Sequence, residues 1–184
     1  MLDKLREQKQ EREISARFVV LAVIFWILTV SWIVVIFQLS SDTAEESSEF
    51  SHTILDYINE LFNTNIQDDS ILRMVGHSAE YALLTLLSFL ALSSTNKISS
   101  KTSYAESPVK LLRSDNEMNI IFTLWFTVLN AIFDEYHQLF VIGRDGSIID
   151  VLIDLVGIVL VLVIIRIAFS IYIRTKGRTE IVYT

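Results

Sequence analysis

The chain has no cysteine among its 184 residues, one proline (Pro108) and five glycines. Without cysteine there can be no disulfide, thiolate metal site or cysteine nucleophile. With so little proline and glycine, turns are few and helical runs go largely uninterrupted. Positive charge is also in deficit, with 15 Lys and Arg against 22 Asp and Glu. That balance speaks against a nucleic-acid partner. What is abundant is apolar: 52% of residues are hydrophobic and the mean hydropathy is +0.46. This composition describes a small membrane protein, a single domain over residues 1–184 with the lipid bilayer as its main partner.

A spanning helix needs roughly 17–25 apolar residues for ~30 Å of hydrocarbon. Four stretches meet that length, at about 18–39, 73–92, 120–140 and 148–173. The first carries no charge and is too long for the hydrophobic part of a signal peptide. The QLSSDTAEE that follows it offers no small-x-small cleavage site, so it reads as a retained span. The second and third carry His77, Glu80, Asp134, Glu135 and His137. The expected fold is therefore all-α, a bundle of four transmembrane helices.

Lys and Arg placement sets the expected orientation. Lys4, Arg6, Lys9, Arg12 and Arg17 precede the first span, and Lys97, Lys101, Lys110 and Arg113 lie between the second and third. Arg174, Lys176 and Arg178 follow the fourth. All twelve fall on one side, against Arg73 and Arg144 on the other, with Arg166 inside the fourth span. Multi-pass topology with both termini in the cytoplasm follows. The Thr95–Asn116 connection is polar and reads as a cytoplasmic loop.

Residues 41–70 would then be external, and they hold eight acids. Phe50, Ile54, Tyr57, Ile58, Leu61 and Phe62 recur among them at helical spacing, with Ser40, Ser41 or Asp42 available as a cap. A short amphipathic helix across the outer mouth of the bundle is expected. Its acidity disfavours anionic headgroups.

Ionisable groups inside a span are costly and mark either function or mutual pairing. Arg73, His77, Glu80 and Leu84 share one face of the second span. Ser147, Asp150, Asp154, Gly157 and Val161 form a stripe on the fourth, and Asn130, Asp134 and Gln138 line the third beside Glu135. At ~1.5 Å per residue, His77, Glu80, Asp134, Gln138, Asp150 and Asp154 fall within about 10 Å of the outer boundary. They predict a polar chamber under the outer rim. Five carboxylates there face Arg73, Arg144 and two histidines, so some must be protonated, paired or bound to a cation.

Three uses of the chamber remain open: an ion-pair network that fixes helix register, a site for a polar headgroup, or a proton relay. The His77/Glu80 and Asp150/Asp154 spacings could each present two ligands to a divalent cation such as Mg²⁺ or Mn²⁺. Ser78 adjoins His77 in sequence and therefore points to another face, which disfavours a serine hydrolase. Four helices without an internal repeat leave little machinery for alternating access.

At these residues the sequence resembles a known family. RMVGHSAEYALLTLL is similar to the basic-His-Glu-Tyr signature of VanZ-like proteins. DEYHQLFVIGRDGSIIDVLIDLVG resembles their D-E-x-x-Q…R…D…(N/D)-x-x-G stretch, and QLSSDTAEESSEFS resembles their serine-rich segment after the first span. The residues that carry the resemblance are Arg73, His77, Glu80, Tyr81, Asp134, Glu135, Gln138, Arg144, Asp150, Asp154 and Gly157. Asp154 stands at the position where many relatives have Asn.

The family takes its name from a protein implicated in teicoplanin resistance, and its members are bacterial cell-membrane proteins. The resemblance implies an envelope protein that contributes to glycopeptide resistance. It would engage a lipid headgroup, a lipid-linked precursor or a lipoglycopeptide at the outer leaflet. The alternative is a membrane enzyme acting on such a substrate through an acidic, metal-binding site.

Overall fold

The computed structural model describes residues 15–98 and 108–181. Among these there are five helices and no strand: α1 (Ala16–Ser41), α2 (Ala44–Phe62), α3 (Ser70–Asn96), α4 (Pro108–Gln138) and α5 (Ile148–Ile181). The N-terminal cations Lys4, Arg6, Lys9 and Arg12, together with Lys101, lie outside the described residues.

Among the described residues three helices are long and apolar enough to cross a membrane: α1, α3 and residues Ile148–Thr175 of α5, whose 18-residue apolar stretches have mean hydropathies of 2.9, 1.4 and 3.1. The expectation of four is corrected to three on this measure. α4 falls short because Asn119, Asn130, Asp134, Glu135, His137 and Gln138 dilute its apolar content. Its polarity is sorted by face, however. Asn119, Thr123, Thr127, Asp134, Glu135 and Gln138 are buried, while Phe122, Trp125, Leu129, Ile132 and Phe133 are exposed. Average hydropathy cannot see a helix whose polar side turns inward.

The connection before α4 is also shorter than the sequence reading had it. Residues 108–116 are helical, with Pro108 at the first position, where its missing N–H forfeits no helix bond.

α3 is the central helix, packing most extensively on α1 and α5. Ile36, Tyr81, Leu84, Ala131, Ile158 and Leu162 form the core, with Trp32, Leu124 and Val128 against it. The Trp26 and Trp32 indoles of α1 donate to the Thr95 hydroxyl at 3.1 Å and the Glu80 carbonyl at 3.0 Å, which fixes the register of α1 on α3. Small hydroxyl residues fill much of the remaining interior. Thr29, Thr85 and Thr127 are fully buried, each donating to the carbonyl four residues earlier, so these three hydroxyls are paired within their own helices and leave room for close approach.

The closest approach is at Gly157 of α5. A β-carbon there would collide with the backbone carbonyl of Ser78 on α3. This contact holds the polar stripes of α3 and α5 side by side.

The amphipathic helix is present as α2. The Thr43 hydroxyl accepts from the Glu46 amide at 3.3 Å, and the Glu46 carboxylate accepts from the Thr43 amide at 2.9 Å, a reciprocal cap. The cap is therefore Thr43, one residue beyond the expected positions. The amide hydrogen bond from Thr43 holds the exposed Glu46 carboxyl below its usual range. Asn63, at φ 53°, ends the helix in the left-handed region that Asn tolerates.

Candidate functional site

The chamber is assembled where α1 ends, α3 begins and the α4–α5 turn closes. Gly143 (φ +77°) allows that turn, and its neighbour Ile142 offers a carbonyl to the Ala44 amide of α2 at 3.4 Å. Gly146 lies tight beneath it, where a β-carbon would come within 2.5 Å of the Glu135 carbonyl. The chain can thus reverse direction while Arg144 projects toward α1.

Two cavities adjoin here. One, of about 350 Å³, is lined by Arg73, His77, Gln138, Arg144, Asp145 and Asp150, with Ser47 of α2 and Ser70 at its edge. The other, of about 230 Å³, lies between α1, α2 and α3. Glu80 and Asp134 stand at its polar end, and Ile36, Phe50, Ile54, Leu72 and Val75 along its apolar side. Ser47, Arg73, His77 and Arg144 line both. A polar cup and a mostly apolar groove therefore share one wall.

Of the residues singled out in sequence, Arg73, His77, Gln138, Arg144 and Asp150 meet at the first cavity, and Glu80 and Asp134 at the second. Tyr81 and Asp154 lie deeper and are fully buried, and among the described residues neither the Tyr81 hydroxyl nor the Asp154 carboxyl has a hydrogen-bond partner. The Nδ1 of His77 is likewise buried and unpartnered.

Glu135 stands apart in function. Its Oε2 accepts from the Ser147 amide at 2.8 Å, and Ser147 starts α5, with its carbonyl accepting from Asp150 and Val151. The Glu135 carboxylate therefore caps the positive end of α5. The Gln138 amide ties the acids of α4 together, donating to Asp134 and to Glu135 at 3.3 Å each.

The arginines do not neutralise this cluster by direct pairing. Among the described residues the ion pairs are Arg73–Asp69 at 3.4 Å and Arg166–Glu117 at 3.8 Å. Arg144 donates from Nη2 to the Leu39 carbonyl at 3.3 Å rather than to an acid. Leu39 lies in the last turn of α1, which has no basic residue of its own, so Arg144 supplies the cation that this negative helix end favours. His137 turns away toward α1, stacked on Phe37 with ring centroids 4.3 Å apart and Nε2 3.1 Å from the Ser41 hydroxyl.

The metal reading finds no ready cluster. No group of three or more His, Asp or Glu placed to share one ion occurs among the described residues.

The residues that sequence reasoning missed belong mostly to α2. Ser47, Ser51 and Leu55 face the bundle at i, i+4, i+8, and Ser47 and Ser51 complete the cavity walls. The apolar stripe drew attention instead to neighbouring residues such as Phe50 and Ile54, which line the same groove. The phase of its small residues carried the signal.

The motif order along the chain is matched by a family profile. VanZ/LLP1 aligns with residues 25–169, from the middle of α1 to the last third of α5. The chain belongs to the VanZ/LLP1 family. No curated protein and no solved structure matches it. The VanZ/LLP1 match takes in every residue of both cavities, so the shared region and the chamber coincide.

Proposed function

We propose that this VanZ/LLP1 protein binds an amphiphile at the outer face of a bacterial membrane, with the polar headgroup in the cup and an apolar portion in the adjoining groove. One observation carries this reading. The two cavities share the wall formed by Ser47, Arg73, His77 and Arg144, and a ligand that is polar at one end and apolar at the other matches that pair.

The protein acts as one membrane unit with four crossings. α4 crosses alongside the three apolar helices, because its exposed face is apolar and its polar residues turn inward. The excess of Lys and Arg in the segments before α1, between α3 and α4 and near the end of α5 supports a topology with the chamber outside and both termini in the cytoplasm. Ligands of the right kind are a lipid headgroup, a lipid-linked precursor or a lipoglycopeptide of the teicoplanin type. Engaging one of them at the outer leaflet would contribute to glycopeptide resistance.

The test is equilibrium binding of teicoplanin to the purified chain in lipid nanodiscs, beside teicoplanin from which the acyl chain has been removed. Saturable binding of the acylated form is expected. It should weaken tenfold or more, about 1.4 kcal/mol, in an Arg73→Gln/Arg144→Gln variant that still folds. Equal binding by wild type and variant, or equal binding of both forms of the drug, would contradict the reading.

A further inference from the structure

A third cavity, of about 300 Å³, lies at the opposite end of the bundle, between the start of α4 and the last third of α5. It is lined by Asn116 and Glu117 of α4 and by Arg166, Phe169, Ser170, Ile173 and Arg174 of α5. Arg166, Ser170 and Arg174 follow one another at i, i+4, i+8, a single ridge along the helix. The two arginines are about 12 Å apart along the axis, and Arg166 stands about 27 Å from the start of α5 at Ile148. For a helix crossing ~30 Å of hydrocarbon, that puts Arg166 at the lower boundary and Arg174 among the headgroups.

From this placement we infer that the cavity is a site for the phosphate of an anionic phospholipid headgroup, with Arg166 and Arg174 as its two cationic contacts. Guanidinium groups match phosphate oxygens with paired, directional hydrogen bonds, and a basic pocket between spanning helices is the usual form of such a site. Ser170 adds a hydroxyl between them, and Phe169 and Ile173 supply an apolar wall for the start of an acyl chain. The Arg166–Glu117 contact does not close the site. At 3.8 Å, with both side chains roughly half exposed, it is an exposed ion pair that a stronger ligand can displace. Among the described residues Arg174 has no ion pair. Two arginines against one glutamate leave the lining net positive, the reverse of the chamber at the other end.

The inference is independent of what the chamber binds. It is tested on the full chain reconstituted in phosphatidylcholine vesicles, with and without phosphatidylglycerol, by thermal unfolding and by lipid retention in native mass spectrometry. Phosphatidylglycerol should raise the wild-type melting temperature and be retained in a defined stoichiometry. The Arg166→Gln/Arg174→Gln variant should lose at least about tenfold in retention, and its melting temperature should no longer respond. Arg166→Lys/Arg174→Lys should recover part of both, which keeps the test informative if the neutral variant folds poorly.

An Arg17→Gln/Lys97→Gln variant, altered at the same end but outside the cavity, should respond as wild type does. Equal loss in that variant would mean diffuse attraction rather than a site, and would overturn the inference. So would full retention by the double glutamine variant, or the same stabilisation from inorganic phosphate in phosphatidylcholine alone.

Discussion

Side chains with similar sequence credentials take different roles once their partners are known. Glu135 sits in the Asp-Glu pair of the family motif, yet its carboxylate receives the Ser147 amide and caps α5. Asp150, three residues after Ser147, is half-buried and lines the open cup instead. Glu135→Ala should therefore cost about 1–2 kcal/mol of stability through the lost cap, while Glu135→Gln, which keeps an acceptor oxygen, should lose only part of that. Chemical or thermal melting of both variants in detergent checks this. Equal destabilisation would show that charge on the helix end matters more than the hydrogen bond. Arg144 makes the same point from the cationic side, since it donates to the carbonyl of Leu39 at the end of α1 and not to an acid.

Among the helices, the contact between α3 and α5 decides whether the chamber exists at all. Gly157 brings the α5 backbone against the carbonyl of Ser78, one residue beyond His77. Gly157→Ala should force the helices apart at a cost of about 1–3 kcal/mol, as overpacking does. Gly76, two residues before Ser78 on α3, has open space where a β-carbon would stand. There the same substitution should stabilise by up to about 1 kcal/mol, because alanine is the better helix former. Melting of the two variants side by side checks the opposite signs, and destabilisation by both would count against the packing described here. Spacing alone revealed the polar stripes on α3, α4 and α5 and the existence of α2, because helical period is written into residue order. It could not reveal that α2 presents Ser47 and Ser51 to the bundle, or that Arg144 reaches α1. Those depend on how elements far apart in sequence meet. By hydropathy α4 falls short of a span, and residue order could not reveal that its apolar residues gather on the exposed face while its polar ones are buried.

At the scale of the whole molecule, charge among the described residues is separated along the bundle axis: acids gather around the chamber, and Arg17, Lys97, Arg166 and Arg174 lie toward the other end. If α4 crosses the membrane and the chamber faces outward, cysteines introduced at Asn63 or Gly143 of the cysteine-free chain should react with an impermeant thiol reagent on intact cells. A cysteine at Thr179 should react only after permeabilisation, and external labelling at Thr179 would reverse the orientation. The central claim is that the chamber is a binding site rather than a scaffold of buried charge. Isosteric neutral replacement separates these most directly, because burying an amide costs less than burying an unpaired carboxylate. The decisive measurement pairs the melting of Glu80→Gln and Asp150→Asn in detergent with teicoplanin susceptibility of cells carrying each. The expected result is wild-type or higher stability together with lost protection in both variants. Wild-type protection in both, at unchanged stability, would contradict the claim and leave the acids as structural supports.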